Sequence, residues 1–304
     1  MAKTTAIVQY DENANERLAV SWTDYSALRW SGIDRPSSRS GKLGITKVLT
    51  DLGLPHLQVL KKFDRAADVD LSNLPDVFVL KPEALWSSKG VMLLHKVVGT
   101  PHYFDAKNNK IYLPDDVRRE CIKLEADVKK TLKFMVEERA IDENLNNIIP
   151  LDYKVFTFYG ETKFVLQVDR NHQTPKLAFF DGQFRPILDD RVLIPSSDKE
   201  TRGTPIKPSC ADGILKIAID ITKHLSAPFI SVDCYATQSG AMFGELTHTP
   251  GGPWYASMYR FSDDFDRELG SAWTNARHRL GLPQSKILSP YRIGRGKSVK
   301  RTIS

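Results

Sequence analysis

The chain has 304 residues and a net charge of +6, and its 41% hydrophobic and 26% charged residues are typical of a globular protein with a sizeable core. Its three cysteines are too few and too far apart for a disulfide framework or a cysteine zinc site, and they suit a reducing cytoplasm. No apolar run approaches the roughly 20 residues of a membrane-spanning helix, and the first residues lack the apolar stretch of a secretory signal. We therefore expect a cytoplasmic protein without a membrane span.

The first part of the chain predicts a helix, two hairpins and a second helix. A loop over residues 31–41, SGIDRPSSRSG, is the clearest early break. After it, KLGITKVLTDLGLP has the apolar spacing of a short helix that Gly53 and Pro55 end. LPDVFVLKP and GVMLLHKVV predict two strands joined by a loop, and YFDAKNNKIYL predicts a small hairpin. Residues 114–133 then predict a helix with acidic residues first and lysines last.

The second part of the chain predicts mainly antiparallel strands. FMVEE predicts a strand, DYKVFTFYGETKFVLQVDR a hairpin that turns at Gly160, and KLAFFDGQFRPI a further hairpin around Gly182. SCADGILKIAIDITKHL predicts a helix in which Ser209 and Asp212 have capping-box spacing, and DDFDRELGSAWTNARHRLG predicts a last helix. This order indicates a mixed α+β fold rather than a doubly wound α/β fold.

The C-terminal segment YRIGRGKSVKRTIS carries five basic residues and no acidic residue. Such tails are usually disordered, so we expect a flexible basic tail over residues 284–304 and do not expect it to bind nucleic acid. Elsewhere acidic and basic residues are mixed, and a moderate positive excess is equally compatible with a site for phosphate groups.

The hairpin VDCYATQSGAMFGELT predicts that Asp233 and Glu245 lie opposite each other on neighbouring strands. Two carboxylates in that arrangement destabilise a sheet unless a cation lies between them. Mg²⁺ takes one or two carboxylates and completes its coordination with water and substrate phosphates. The hairpin therefore favours either a metal or a basic partner over simple surface decoration.

Two other segments have both a structural and a functional interpretation. The strand ending at Lys81 is followed by Ser87, Ser88, Lys89 and Gly90, which is typical of a surface turn but also of a loop that places N–H groups over phosphates. The spacing is not that of a Walker A loop. FMVEERAID is either a strand that leaves the core or a hinge whose backbone contacts an adenine edge.

In combination these motifs resemble an ATP-grasp protein. LPDVFVLKP, DYKVFTFYG with VDR at the end of the return strand, and VDCYATQSGAMFGELTHTPGG resemble the TupA-like ATP-grasp family over roughly residues 41–270. The resemblance implies an α+β ATP-grasp fold in which two subdomains clasp ATP. It divides the chain into a short N-terminal segment (1–40), a central subdomain (41–136), a C-terminal subdomain with the metal site (137–283) and the tail (284–304).

The resemblance also implies a nucleotide site. Lys42 and Lys81 would neutralise the phosphates of ATP, and the loop of residues 86–90 would close over them as a lid. Adenine would contact the backbone of residues 136–140, with the ribose near Asp142 or Glu143. The implied nucleotide-binding residues are Lys42, Lys81, Ser87, Ser88, Lys89, Gly90, Glu137, Glu138, Arg139, Ala140, Asp142 and Glu143.

For the metal, the resemblance implies that Asp233 and Glu245 bind Mg²⁺, with Thr247 where the family usually has asparagine. The threonine hydroxyl would ligate the metal more weakly. Arg170 resembles the basic residue that faces the transferred phosphate, and Lys81 and His248 complete the implied catalytic set.

Two departures from the family pattern affect this interpretation. Ser231 stands where an arginine commonly precedes the metal aspartate, so that Arg170, His248 or Arg260 would have to compensate. The segment before Lys42 is also shorter than the usual substrate-binding subdomain, so substrate recognition would rely on residues 181–208, on the C-terminal segment or on a second protomer.

The implied function is an ATP- and Mg²⁺-dependent ligase that activates a carboxylate as an acyl phosphate and joins it to an amine. Its substrates would be small or glycan-linked molecules from surface polysaccharide, peptide-conjugate or natural-product synthesis. The sequence does not separate this ligase from a kinase on the same fold, and a non-catalytic nucleotide-binding homologue is a further alternative.

Overall fold

The computed structural model describes residues 5–32, 42–83, 85, 89–195, 200–251 and 258–296. Within these ranges the helices are α1 (Trp22–Ser31), α2 (Lys42–Asp51), α3 (Pro114–Val128), α4 (Ala211–His224) and α5 (Asp263–Arg279), with a short 3₁₀ helix at Ala66–Asp68. The strands are β1 (Thr5–Leu18), β2 (Val59–Phe63), β3 (Val77–Pro82), β4 (Met92–Lys96), β5 (Tyr103–Asp105), β6 (Lys110–Tyr112), β7 (Phe134–Glu138), β8 (Asp152–Phe158), β9 (Glu161–Asp169), β10 (Lys176–Asp181), β11 (Val192–Leu193), β12 (Thr201–Arg202), β13 (Ile230–Thr237), β14 (Gly240–Thr247), β15 (Arg260–Phe261) and β16 (Lys286–Gly296).

The N-terminal sheet has the strand order β2-β7-β3-β4-β5-β6, and each of its pairings is antiparallel. Side chains alternate between its two faces because successive residues of a strand point in opposite directions. Phe78, Leu80, Phe134 and Val136 face a core closed by α3, where Cys121 is buried. The opposite face therefore carries Lys81 and its neighbours away from that core.

The C-terminal sheet has the order β12-β10-β9-β8-β13-β14, and it is antiparallel except for the short β10–β12 pairing. Helix α4 packs on one face with Ile214, Ile217 and Ile221. The other face carries an aromatic core in which Trp22 and Trp273 bring α1 and α5 onto the sheet. The sheet is thus covered on both faces.

The C-terminal segment differs from the sequence expectation of a flexible tail over residues 284–304. Strand β1 pairs antiparallel with β16, so residues 286–296 are a paired strand rather than part of a flexible tail; residues 297–304 lie outside the described residues. Tyr25 of α1 stacks on Trp273 of α5 with 5.0 Å between ring centroids. The two ends of the chain therefore pack together on the C-terminal sheet.

The predicted helices and most predicted hairpins are confirmed, with three differences. The capping box expected from Ser209 and Asp212 does not form, because the N-cap of α4 is Cys210 and no side chain caps the helix. Helix α3 ends at Val128 instead of residue 133, because Lys129 adopts a left-handed conformation with φ of 52°. After β10 the chain returns only as a bridge between Phe180 and Pro186 rather than as a full hairpin. No helix among the described residues is long and apolar enough to cross a membrane.

Candidate active site

A cleft lies where the N-terminal sheet meets strand β14 of the C-terminal sheet and helix α2. Phe243 of β14 anchors the segment after α2, because its N–H donates to the Pro55 carbonyl at 2.9 Å. The cleft is lined by Ile45, Thr46, Leu49, His56, Leu57, Val59, Lys81, Glu137, Phe243, Gly244, Glu245 and Leu246. It combines an apolar wall with charged groups from both sheets, which is the usual composition of a ligand site.

Lys81 and Glu137 form the charged group on the N-terminal sheet. In the β3–β7 pairing Lys81 lies opposite Met135 and Val79 lies opposite Glu137, so both charged side chains point to the cleft face. The Lys81 ammonium is paired with the Glu137 carboxylate, and both side chains are largely buried. A rigid strand thus presents a lysine to the cleft and holds it with an adjacent acid.

Asp233 is the centre of the charged group on the C-terminal sheet. It lies opposite Glu245 in the β13–β14 pairing, as the hairpin predicts, and opposite Lys154 in the β13–β8 pairing. Its carboxylate accepts hydrogen bonds from Lys154 Nζ, from Ser231 Oγ at 3.2 Å and from Thr247 Oγ1 at 3.2 Å. Glu245 is exposed and lines the cleft, whereas Asp233 is buried and is not among the residues that line it.

Lys154 also contacts a second buried carboxylate. Its Nζ lies 2.9 Å from Asp152 Oδ2, and Arg170 Nη1 donates to the same oxygen at 3.1 Å. Asp152, Lys154, Phe156 and Phe158 share one face of β8, so the face changes from aromatic to charged towards the start of the strand. The order Arg170–Asp152–Lys154–Asp233 is therefore a chain of alternating charges that runs from the residue after β9 across β8 to β13.

The pKa shifts follow from this arrangement. Burial raises the pKa of Asp233 to about 7; Lys154 opposes the rise, while Asp152 and Glu245 add to it. Burial would also raise the pKa of Asp152, but Lys154 and Arg170 outweigh it and lower that pKa. Burial would lower the pKa of Lys154, and the two carboxylates instead raise it above its usual value. Lys154 is accordingly a charged ammonium that already pairs with both carboxylates.

The residues fit the magnesium ion that the sequence resemblance implies. Asp233, Glu245 and Thr247 supply two carboxylates and a hydroxyl on facing positions, and Mg²⁺ typically uses few protein ligands and takes its others from water and phosphates. No cluster of three or more His, Cys, Asp or Glu side chains arranged for a metal occurs in the described ranges. A divalent cation here would therefore need additional oxygen atoms, such as those of a nucleotide.

Comparison with known proteins agrees with this architecture. The sequence profile of the TupA-like ATPgrasp family matches residues 45–274, which is well over half of the chain. The chain belongs to this family. No protein of curated function matches it.

Among solved structures, the TupA-like protein is similar to D-alanine–D-alanine ligase from Bacillus anthracis, with 15% identity and a TM-score of 0.47 over 79% of this chain and 67% of that one. The enzyme from Helicobacter pylori has 12% identity and a TM-score of 0.45 over 88% and 68% of the two chains. The ATP-grasp ligase PsnB, solved with a minimal precursor, has 14% identity and a TM-score of 0.41 over 83% and 69%. At such low identity these proteins do not indicate a substrate for the TupA-like protein.

Several residues expected around the nucleotide are only partly described. Lys42 is the first residue of α2, and its side chain lies outside the described part of the structure, as do Ser87 and Ser88. Lys89 is an exposed turn residue before β4. Gly90 has φ of 74°, and a Cβ atom there would lie 2.3 Å from Leu124 Cδ2, so this turn requires glycine.

The expected hinge residues are divided between the cleft and other contacts. Glu137 lines the cleft, whereas Glu138 accepts from the Gln58 N–H at 3.1 Å, and Ala140 is buried. Arg139 donates to the Ile148 carbonyl.

The two acids considered for the ribose have other partners and are not among the residues that line the cleft. Asp142 is buried and accepts from the Asn144 and Leu151 N–H groups at 2.8 Å each, so it organises the loop after β7. Glu143 accepts from Ser209, just before α4. Both carboxylates thus stabilise connections between the sheets.

His248 directly follows Thr247, the last of the expected metal ligands, and its main chain is held by a hydrogen bond. Its carbonyl accepts from Arg29 Nη1 at 2.7 Å. Burial, and then repulsion from Arg29, lowers the pKa of His248 to about 4. The imidazole is therefore neutral at pH 7. Arg260, the other residue considered as a compensating cation, lies in β15 opposite Leu193.

Asp152 and Lys154 were missed by the sequence analysis as functional residues. The signal was present in DYK, where two charged residues alternate with an aromatic one at the start of an otherwise apolar strand. What the sequence does not show is that β8 lies beside β13, which brings Lys154 opposite Asp233.

Proposed function

We propose that the protein is an ATP- and Mg²⁺-dependent ligase that converts a carboxylate to an acyl phosphate and joins it to an amine. The observation that carries this proposal is the cleft, in which Lys81 of the N-terminal sheet and Glu245 of the C-terminal sheet line one cavity. Membership of the TupA-like ATP-grasp family supports ATP as the nucleotide.

In this proposal Lys81 neutralises phosphate charge from a rigid strand, and Glu137 keeps its ammonium directed into the cleft. The apolar side chains of α2 and the 57–59 segment provide a surface for the base. Asp233, Glu245 and Thr247 would hold Mg²⁺, which when bound lowers the charge repulsion between the phosphates and an incoming anion.

The reaction would proceed in two balanced steps. A carboxylate oxygen attacks the γ-phosphorus of ATP, the bond to the bridging oxygen breaks, and ADP leaves. The amine then attacks the acyl carbon, inorganic phosphate leaves with the original carboxylate oxygen, and the amine loses a proton. Arg170, held by Asp152 at 3.1 Å, supplies positive charge for the transferred phosphate.

Oxygen transfer tests the reaction class directly. The protein is incubated with ATP, Mg²⁺ and a panel of ¹⁸O-labelled amino acids and sugar acids with amine acceptors. We expect one ¹⁸O atom in the released phosphate, detected by mass spectrometry. A stable phosphorylated acceptor without phosphate release would instead identify a kinase, and no ADP formation with any acceptor would contradict the ligase.

A further inference from the structure

Lys154 neutralises the carboxylate of Asp233. It therefore lies where a divalent cation bound to Asp233 would also be attracted. Lys154 Nζ bonds Asp233 Oδ2, which also accepts from Thr247 Oγ1 at 3.2 Å. Asp233 is 4% exposed and Lys154 is largely buried, so water screens this pair only weakly. A divalent cation on Asp233 would therefore meet the positive charge of Lys154 at short range.

The carboxylate of Asp152 offers the Lys154 ammonium a second position. Lys154 Nζ already lies 2.9 Å from Asp152 Oδ2. The other oxygen, Asp152 Oδ1, has no hydrogen-bond partner, and it is buried with the rest of the residue, which is only 5% exposed. A buried carboxylate oxygen without a donor is costly, and the Lys154 ammonium already bonds the other oxygen of the same carboxylate.

We propose that Lys154 is a resident counter-ion of Asp233 that moves onto Asp152 when the divalent cation binds. The inference rests on the proposed function, since it takes the Asp233–Glu245 pair as the cation site. Lys154 stabilises Asp233 without the cation and competes with its entry. The unpartnered oxygen of Asp152 accepts the displaced ammonium and keeps it in the network.

This arrangement has a consequence for the order of binding. Mg²⁺ alone must displace Lys154 with only two carboxylates and a hydroxyl to attract it. A nucleotide phosphate brings additional negative charge and oxygen ligands, so a Mg²⁺–nucleotide complex displaces the lysine more easily than the free ion. Lys154 thereby favours joint binding of metal and nucleotide over binding of the metal alone.

The test is a titration of Mg²⁺ alone, by calorimetry, into wild type, Lys154→Gln and Asp152→Asn. Lys154→Gln removes the charge while retaining a hydrogen-bond donor, and we expect it to bind Mg²⁺ roughly tenfold more tightly or better. Asp152→Asn weakens the alternative position, and we expect weaker binding than wild type. Lys163→Gln is the matched control, since Lys163 pairs with Glu161 on β9 away from Asp233, and it should bind as wild type does.

Equal, weaker or undetectable Mg²⁺ binding by folded Lys154→Gln would overturn the inference. If that variant does not fold, Asp152→Asn decides, and wild-type affinity there would overturn it. A parallel titration of Mg²⁺ with ADP into wild type separates the two claims. Binding there with an unchanged Lys154→Gln removes only the counter-ion inference, whereas no binding there removes the proposed function as well.

Discussion

Arg29 of helix α1 donates a hydrogen bond from Nη1 to the main-chain carbonyl of His248 at 2.7 Å and one from Nη2 to the Phe229 carbonyl at 2.8 Å. Its guanidinium also lies over the Trp273 ring, 4.4 Å from the centroid. The N-terminal helix is thus tied to the end of β14, directly after the residues proposed to bind the metal.

We predict that Arg29→Met lowers the free energy of unfolding by about 3 kcal/mol, because two charge-assisted hydrogen bonds are lost and two carbonyls lose a buried donor. Urea denaturation measures this change. Arg267→Met, which removes an exposed arginine on α5, is the control and should change stability little. Equal stability of the two variants would show that Arg29 does not tie α1 to the sheet.

The Arg17–Asp24 ion pair predicts a specific dependence on pH. Asp24 is 2% exposed and accepts from both Arg17 Nη atoms at 2.7 Å, from the Val20 N–H at 3.0 Å and from Tyr291 Oη at 3.2 Å. Burial would raise the pKa of Asp24, but these bonds outweigh it and lower that pKa. The carboxylate therefore stabilises the fold above its unfolded pKa, and this contribution is lost as pH falls through the lower folded value.

We expect Asp24→Asn to lower the free energy of unfolding by about 1–2 kcal/mol at pH 7, because the charge-assisted bonds to this carboxylate are lost while Arg17, whose side chain is 40% exposed, keeps part of its hydration. The difference from wild type should shrink below about pH 4, where the unfolded chain protonates the carboxyl group. Denaturation at pH 7, 5, 4 and 3 measures it. A difference that stays constant between pH 7 and pH 3 would show that the ionised Asp24 carboxylate is not the source of the stabilisation.

Gly244 of β14 packs closely against Tyr235 on the neighbouring strand β13. A Cβ atom at this position would lie 2.8 Å from Tyr235 Cε2 and 3.1 Å from the Asp233 carbonyl oxygen. Gly244→Ala should therefore lower the free energy of unfolding by about 1–3 kcal/mol. In a Tyr235→Leu background the ring is absent and the cost should be smaller. An unchanged cost in that background would show that the clash with Tyr235 is not the cause.

Lys81→Met should weaken ATP binding roughly tenfold or more while the protein remains folded, because a charge-assisted contact to phosphate is lost. Calorimetry with ATP and Mg²⁺ measures the affinity. Lys62→Met removes an exposed lysine from β2 of the same sheet and serves as the control. If both variants bind ATP as wild type does, Lys81 is not a phosphate ligand.

Local patterns in the sequence were sufficient for several elements and for part of the site. The turn at Ser239-Gly240 and the alternation around it correctly predict that Asp233 faces Glu245. The segment LPDVFVLKP correctly predicts the strand β3, which ends with Lys81 and Pro82. Both predictions depend on residues close together in the chain.

Relationships between distant segments were not predictable in this way. Strands β1 and β16 pair although Glu16 and Lys286 are 270 residues apart, and a basic tail gives no local sign of its partner. Asp142 and Glu143 are acids of the type that binds ribose hydroxyls. In the structure their carboxylates accept hydrogen bonds from loop N–H groups and from Ser209. The proximity of Lys154 to Asp233 depends on sheet order, which strand patterns alone leave open.

We propose that Asp233 and Glu245 bind a divalent cation together with ATP. The most direct measurement is calorimetric titration of ATP with and without Mg²⁺ into wild type, Asp233→Asn/Glu245→Gln and the surface control Asp189→Asn/Glu16→Gln. We predict that wild type and the control bind ATP tightly only with Mg²⁺, and that the first double variant loses this dependence. Wild-type protein that binds no ATP with or without Mg²⁺, or a first double variant that retains full Mg²⁺ dependence, would contradict the claim.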